Sequence, residues 1–349
     1  MNHGGRSMRR WSSITRVLAL TASLGLVGVV AAPHQAGANV GNADDPAYEQ
    51  FVNSGNHFSF RLEARGYGPY AKIPYPAYNG SPYGRAELAS VPGRCFSFGS
   101  QYYGDEYGEE FLFEGGQKSM TNPGEARAEF PETVRNPRHV EIAPFGANGP
   151  RSVADCPSIR ESDGYATYSY NGDTVNHVGF ATSHSHAILD LARSAIDGES
   201  HANLEDVLLG GQLSIKRVES YMKVEQLPNQ APTVDYRIAL LGITAGGNPI
   251  SGIGEKGIVF AGQKVVGADL DKQFAAEVNK NSQAMKSIAS WHIDILAPEM
   301  KYDNVEYDIR APVFAAGQRP AGQDGDRGEE QGFILGEVHY RGVFNHTGK

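Results

Sequence analysis

Two histidines, His184 and His186, lie two residues apart in the alternating stretch VGFATSHSHAILDLA, and Asp190 follows at the same parity. On an extended strand, residues separated by even steps share one face. Both imidazoles and the carboxylate would then reach a single metal ion. His177 and His201 offer further imidazoles from flanking segments. The same spacing also describes the wet side of a half-exposed sheet, because Ala187, Leu189 and Leu191 fill the opposite parity. Both readings stay open: a metal set of His184, His186 and Asp190, or a polar outer face. Ser183, His186 and Asp190 supply the residue types of a nucleophilic triad, but triads are geometric and sequence order does not define one.

Other stretches resemble chemical motifs less closely. GIGEKG (252–257) fits G-x-G-x-x-G, but strand-like Ile-Val-Phe-Ala follows it where a dinucleotide site needs a helix. A hairpin turn is expected there, with no cofactor. The acidic clusters YGDEYGEE (103–110) and QDGDRGEE (323–330) hold carboxylates suited to calcium, but Gly325 and Gly328 break the ligand spacing of a calcium loop. They read as solvated loops. No G-x-S-x-G, H-E-x-x-H or Walker sequence occurs, and no catalytic residue is assigned. Nine of the seventeen tyrosines fall between Tyr48 and Tyr107, a density that suits either a recognition strip or rings covering sheet edges.

The ends and the charge place these residues in a compartment. Arg6, Arg9, Arg10 and Arg16 precede or enter a short apolar run over 17–32, and Ala36-Gly37-Ala38 follows. This is the pattern of a cleaved signal peptide over 1–38, and a secreted, extracellular product is expected. Its removal takes four Arg and no acid, leaving 27 basic against 40 acidic residues. So acidic a chain disfavours nucleic acid and anionic membrane surfaces. No later apolar run is long enough to span a bilayer. In an oxidising compartment, Cys95 and Cys156, the chain's two cysteines, are expected to form one disulfide.

Positioning these residues calls for strands. Residues 39–56 are polar and read as a disordered leader. FSFRLEA alternates from Phe58 onward and reads as a strand. GYGPYAKIPYPAYNGSPYG (66–84) holds five Tyr and four Pro and reads as an irregular, partly polyproline-like segment. Short strands are expected at 94–99, 111–113, 126–130 and 139–142. From Tyr165 the alternating runs lengthen, separated by Asn171-Gly172, Asp197-Gly198 and Gly210-Gly211. In LEDVLLGGQLSIKRVESYMKV (204–224), Leu213 and Ile215 occupy one parity while Val218, Met222 and Val224 occupy the other. A β-bulge at Lys216-Arg217 would restore a single buried face. Leu270, Phe274 and Val278 form the stripe of an amphipathic helix over 268–287. The expected class is mainly β: a curved antiparallel sheet or meander with one amphipathic helix packed on it. A Tyr/Gly/Pro-rich segment over 57–164 would precede a β domain over 165–349, or the two would form one domain over 57–349.

Several pieces in this order carry a resemblance: FSFRLEARGYG, NPGEARAEFP (122–131), the 204–224 stretch, ITAGGNPISGIGEKGIVF (243–260), the amphipathic helix and LAPE (296–299). Together they resemble actinobacterial secreted β-rich proteins of the choice-of-anchor type, over most of residues 57–345. The resemblance implies a β scaffold at the cell envelope and brings no catalytic residue or ligand. Members often end in a surface anchor, which is not read in GVFNHTGK here. The expected function is that of a secreted, non-catalytic protein acting at or near the envelope, with a cell-wall or surface component as partner. The alternatives are a carrier of an apolar small molecule between sheet and helix, and a hydrolase without a recognisable motif.

Overall fold

The computed structural model describes residues 45–71, 77–91, 93–101, 103–104, 125–132, 137–143, 149–170, 177–211, 213–249, 258–261, 291–295, 299–302, 306–318 and 330–345. The export segment, the 268–287 helix, the 111–113 strand, GIGEKG and nearly all of both acidic clusters lie outside them. The described residues belong to one compact unit, Val40–Lys349. Among them, one helix, α1 (Pro46–Asn53), precedes the strands β1 (Phe58–Ala71), β2 (Ala77–Ser90), β3 (Gly93–Ser100), β4 (Tyr103–Gly104), β5 (Glu125–Phe130), β6 (His139–Ile142), β7 (Ser152–Ser158), β8 (Glu161–Tyr170), β9 (His177–Asp190), β10 (Ala195–Leu209), β11 (Leu213–Gln226), β12 (Thr233–Ala245), β13 (Asn248–Pro249), β14 (Ile258–Ala261), β15 (Trp291–Ile295), β16 (Glu299–Tyr302), β17 (Tyr307–Gln318) and β18 (Glu330–Phe344).

The strands form two antiparallel sheets. The first runs β15-β17-β18-β1-β2-β3-β5, and the second runs β13-β12-β11-β10-β9-β8-β7-β6. The mainly β class is therefore correct, as two facing sheets. A boundary between 164 and 165 falls inside β8, and the 57–164 segment feeds both sheets.

Two expectations at the N-terminal side are corrected. Within the supposed leader, Asp45 caps Tyr48 N, Pro46 opens α1, and Tyr48 and Phe51 pack edge-on against Phe58 and Phe344. Apolar contact on one face outweighs the polar composition. The Pro-rich 66–84 stretch is strand at 66–71 and 77–84, because β1 is paired on both sides, by β18 and β2.

The sheets meet in two ways. Phe60, Leu62, Leu88 and Tyr340 of the first sheet and Leu204, Met222 and Val224 of the second form a fully buried core. Elsewhere the backbones nearly touch. A Cβ built on Gly164 would lie 2.3 Å from Arg85 O and 2.5 Å from Phe98 O. Serine hydroxyls satisfy the facing carbonyls: Ser183 donates to Pro82 O at 2.8 Å, Ser200 to Glu63 O at 2.7 Å and Ser162 to Phe96 O at 2.7 Å. Here Cys95 of β3 and Cys156 of β7 are joined, with Cα atoms 5.9 Å apart.

The phase change in β11 is real, but its form differs from a bulge. Leu213, Ile215, Val218, Met222 and Val224 are all buried, and Gly210 and Gly211 turn the preceding hairpin with φ of 60° and 65°. Yet Glu205↔Arg217 is followed by Val207↔Ile215, and Arg217↔Leu241 by Ile215↔Ile243, so no register is lost. Each neighbouring strand has its own extra residue at the same level. Asp206 (φ 53°) and Gly242 (φ 66°) flank Lys216, and Gly179 lies beyond Asp206. The step crosses β9 to β12 and becomes a true register shift only between β8 and β9, at Tyr168/Tyr170. The first sheet has a counterpart at Gly336 (φ 92°), ending in a shift at Pro312/Phe314 of β17.

Candidate functional site

The small inward residues of β8 and β9 bring the sheets together and leave the opposite parity to solvent. On this outer face of the second sheet, two rows cross the strands in register. One is Tyr165, His184, His201 and Tyr221, each directly opposite the next on β8, β9, β10 and β11. The His184 and His201 rings stack at 6.2 Å between centroids, and His201 meets Tyr221 at 4.5 Å. The adjacent row runs His139, Asp155, Asp163, His186, Glu199 and Lys223, from β6 to β11. An open hollow beside it is lined by His186, Ile188, Arg193, Glu199, Lys223 and Asp235.

Asp163 is the hub. His184 Nε2 lies 2.8 Å from its Oδ2, and His186 Nδ1 lies 3.3 Å from the same oxygen without a hydrogen bond. Burial would raise this carboxyl, but His184 and His186 outweigh it and hold it well below its ordinary range. His186 answers in the opposite sense. Burial lowers it, and the Asp163 carboxylate, helped by Glu161 and Glu199, raises it above the ordinary imidazole value. Asp155 is pushed up by burial, with Asp163 and Glu161 adding to the effect. His201 Nε2, 3.8 Å from Glu199 Oε2, holds that carboxyl down.

The expected metal set is divided. His184 and His186 share a face, and His201 joins them, but their carboxylate is Asp163 from β8. Asp190 instead closes the turn after β9. It accepts from Ala192 N at 2.9 Å and from Arg193 Nε at 2.8 Å. His177 pairs with Leu208 at the far end of β9. Among the described residues, no three His, Cys, Asp or Glu side chains are placed to hold one metal ion. Ser183 points between the sheets toward Pro82, away from His186 and Asp190, so these three residues do not converge.

Asp163, Tyr165, Glu199 and Tyr221 were not singled out from the sequence. For Asp163 and Tyr165 the signal was the alternation of ESDGYATYSY, with Ser162, Gly164 and Ala166 inward, and for Glu199 and Tyr221 it was the same alternation in β10 and β11.

A second charged network covers the outer face of the first sheet. Buried Glu63 accepts from Tyr83 Oη at 2.7 Å and faces His339 Nδ1 at 3.2 Å, while His339 Nε2 meets Asp308 at 2.9 Å. Arg61 pairs with Glu63, and Arg65 Nη2 lies 3.3 Å from it. Burial opposes charge on Glu63, yet His339, Arg65 and Arg61 hold its carboxyl well below the ordinary range. These groups are paired with one another, as a buried charge array must be.

Compared with known proteins, the chain matches no family model and no curated protein. Among the described residues, no helix is long and apolar enough to cross a membrane.

Proposed function

We propose that this is a secreted, non-catalytic β protein that works at or near the cell envelope through the outer face of its second sheet, contacting a wall or surface component. The observation that carries this reading is the contrast between the two sides of that sheet. Inward, Gly84, Gly99 and Gly164 leave less than a Cβ between backbones, so this part of the interior has no room for a guest. Outward, Tyr165, His184, His201 and Tyr221 present partly exposed rings with polar edges. Such side chains combine apolar contact with hydrogen bonding at little entropic cost. Where this row meets a carboxylate, at His184 Nε2 and Asp163, the imidazole serves as donor.

Co-sedimentation of the purified chain with isolated envelope fractions tests this. His201→Ala/Tyr221→Ala is expected to reduce retention at least five-fold with folding intact. Equal retention would reject this face, and uptake of an apolar fluorescent probe would favour the carrier reading.

A further inference from the structure

We propose that the row His139, Asp155, Asp163 and His186, with His184 beside it, is a proton-operated clasp that fastens the edge strands β6 and β7 to the second sheet. It goes beyond the surface-binding reading and does not depend on it.

The edge needs such a device. β6 is four residues long, alternately exposed and half-buried, and among the described residues β7 is its one neighbour in that sheet. The β7–β8 ladder is itself interrupted by a register shift between Asp155 and Ser158. At that interruption two carboxylates face each other, because Asp155 is directly opposite Asp163. Like charges directly opposite across strands are destabilising. Each acid has imidazole on its other side. His139 Nδ1 stands 3.7 Å from Asp155, and His184 and His186 stand 2.8 and 3.3 Å from Asp163.

The surrounding charges leave the imidazoles as the variable element. On this face β6 contributes Glu141, the residue before β7 is Arg151, β8 contributes Glu161, β10 Glu199 and His201, and β11 Lys223. Arg151 is turned away, 3.9 Å from Glu141 and stacked 5.4 Å over the Tyr165 ring. Lys223 lies beyond Glu199. With neutral imidazoles, the five carboxylates Glu141, Asp155, Glu161, Asp163 and Glu199 outnumber the two fixed cations. Protonating His186, which lies between Asp163 and Glu199, reduces that excess.

The direction with pH follows. His186 and Asp155 are both raised in the fold. Stability from such groups is fully present below their ordinary values and is lost as pH rises through the raised ones. Asp163 is lowered, so its contribution is lost only as pH falls below the ordinary carboxylate range. His186 therefore keeps the clasp closed up to about pH 6.5 and lets it open as pH rises through its raised value, while the Asp155 contribution, counted from the lower carboxylate value, already fades from about pH 4 upward. Opening is local. The disulfide at Cys156 keeps β7 on the first sheet, and Cys156 N donates to Arg138 O at 2.7 Å, which anchors the start of β6.

Hydrogen–deuterium exchange on the full chain at pH 5.5 and 8.5, corrected for intrinsic rates, reads this directly. Peptides covering 139–142 and 152–158 are expected to exchange at least ten-fold faster at the higher pH, with β10 and β11 unchanged. Asp163→Asn removes the facing charge and should exchange slowly at both pH values. His184→Gln/His186→Gln should exchange fast at both. A pH-independent wild-type rate overturns the clasp, and so does a wild-type pH profile in Asp163→Asn. Should the double histidine variant fail to fold, those two measurements still decide.

Discussion

Tyr340 Oη donates a 2.8 Å hydrogen bond to Gln226 Oε1, joining β18 of one sheet to β11 of the other. The Gln226 amide nitrogen in turn donates to Leu227 O at 3.1 Å and Gln230 O at 2.7 Å, so the tie also sets the turn into β12. Tyr340→Phe strands a buried acceptor and should lower stability by about 1–3 kcal/mol. Adding Gln226→Leu should cost less than the sum of the two single changes, because the partners share one interaction. Urea unfolding of the four proteins checks this, and strict additivity would contradict it.

Gly164→Ala should be among the most damaging single-methyl additions. The new carbon would press on two backbone carbonyls across the sheets, and overpacking of this kind costs about 3 kcal/mol or more where backbone must move. Gly179→Ala is the control. Its nearest neighbour is the Asp206 Cβ at 3.1 Å, and its loss should stay under about 1 kcal/mol. Comparable denaturation midpoints for the two variants would count against close backbone packing.

The transverse step makes a paired prediction. Gly242→Ala combines a left-handed φ with a Cβ 2.7 Å from that of Lys216, and should cost about 2 kcal/mol. Asp206→Gly relieves a left-handed residue at the same level and should leave stability within about 1 kcal/mol of wild type. Thermal denaturation distinguishes them.

Cys95 and Cys156 close a loop with a sequence separation of 61. Replacing both with serine should remove about 4 kcal/mol, since the unfolded chain regains that loop's freedom. Equilibrium unfolding of oxidised wild type against the double variant measures the difference.

His339 should make the first sheet sensitive to base. Burial lowers its affinity for a proton, but Asp308 and Glu63 raise it overall, above the ordinary imidazole value. Its stabilising effect is present below about pH 6.5 and is lost as pH rises through the raised value. The stability gap between wild type and His339→Gln should therefore shrink from pH 6 to pH 9. A constant gap would show that the imidazolium contributes nothing.

What could be read from the sequence was local. Gly210-Gly211, the two parities of β11 and the pair of cysteines each follow from neighbouring residues or from simple counting. The partition into sheets was hidden, because β1 pairs with β18 across nearly the whole chain and neither strand names its partner. The bulge expected at Lys216 was the right compensation for one strand considered alone. That Asp206 and Gly242 make the same step is a property of three strands together. At the candidate site, the spacing of His184 and His186 was visible, but a carboxylate on the same strand was assigned to them. The one that meets them comes from β8, where Asp163 is set opposite His186 by strand register. Asp190 was claimed instead by Arg193, a partner three residues away that forms when the chain turns.

The shared step at Gly179, Asp206, Lys216 and Gly242 also governs which length changes the chain tolerates. Deleting Lys216 alone would leave β11 one residue short between two strands that keep theirs. Either Leu213 and Ile215 or Val218, Met222 and Val224 would then turn to water. Deleting one residue from each strand together would preserve every inward side chain while straightening the sheet. Insertions and deletions at this level should therefore survive only as matched sets, and homologous chains should differ here in several strands at once or in none.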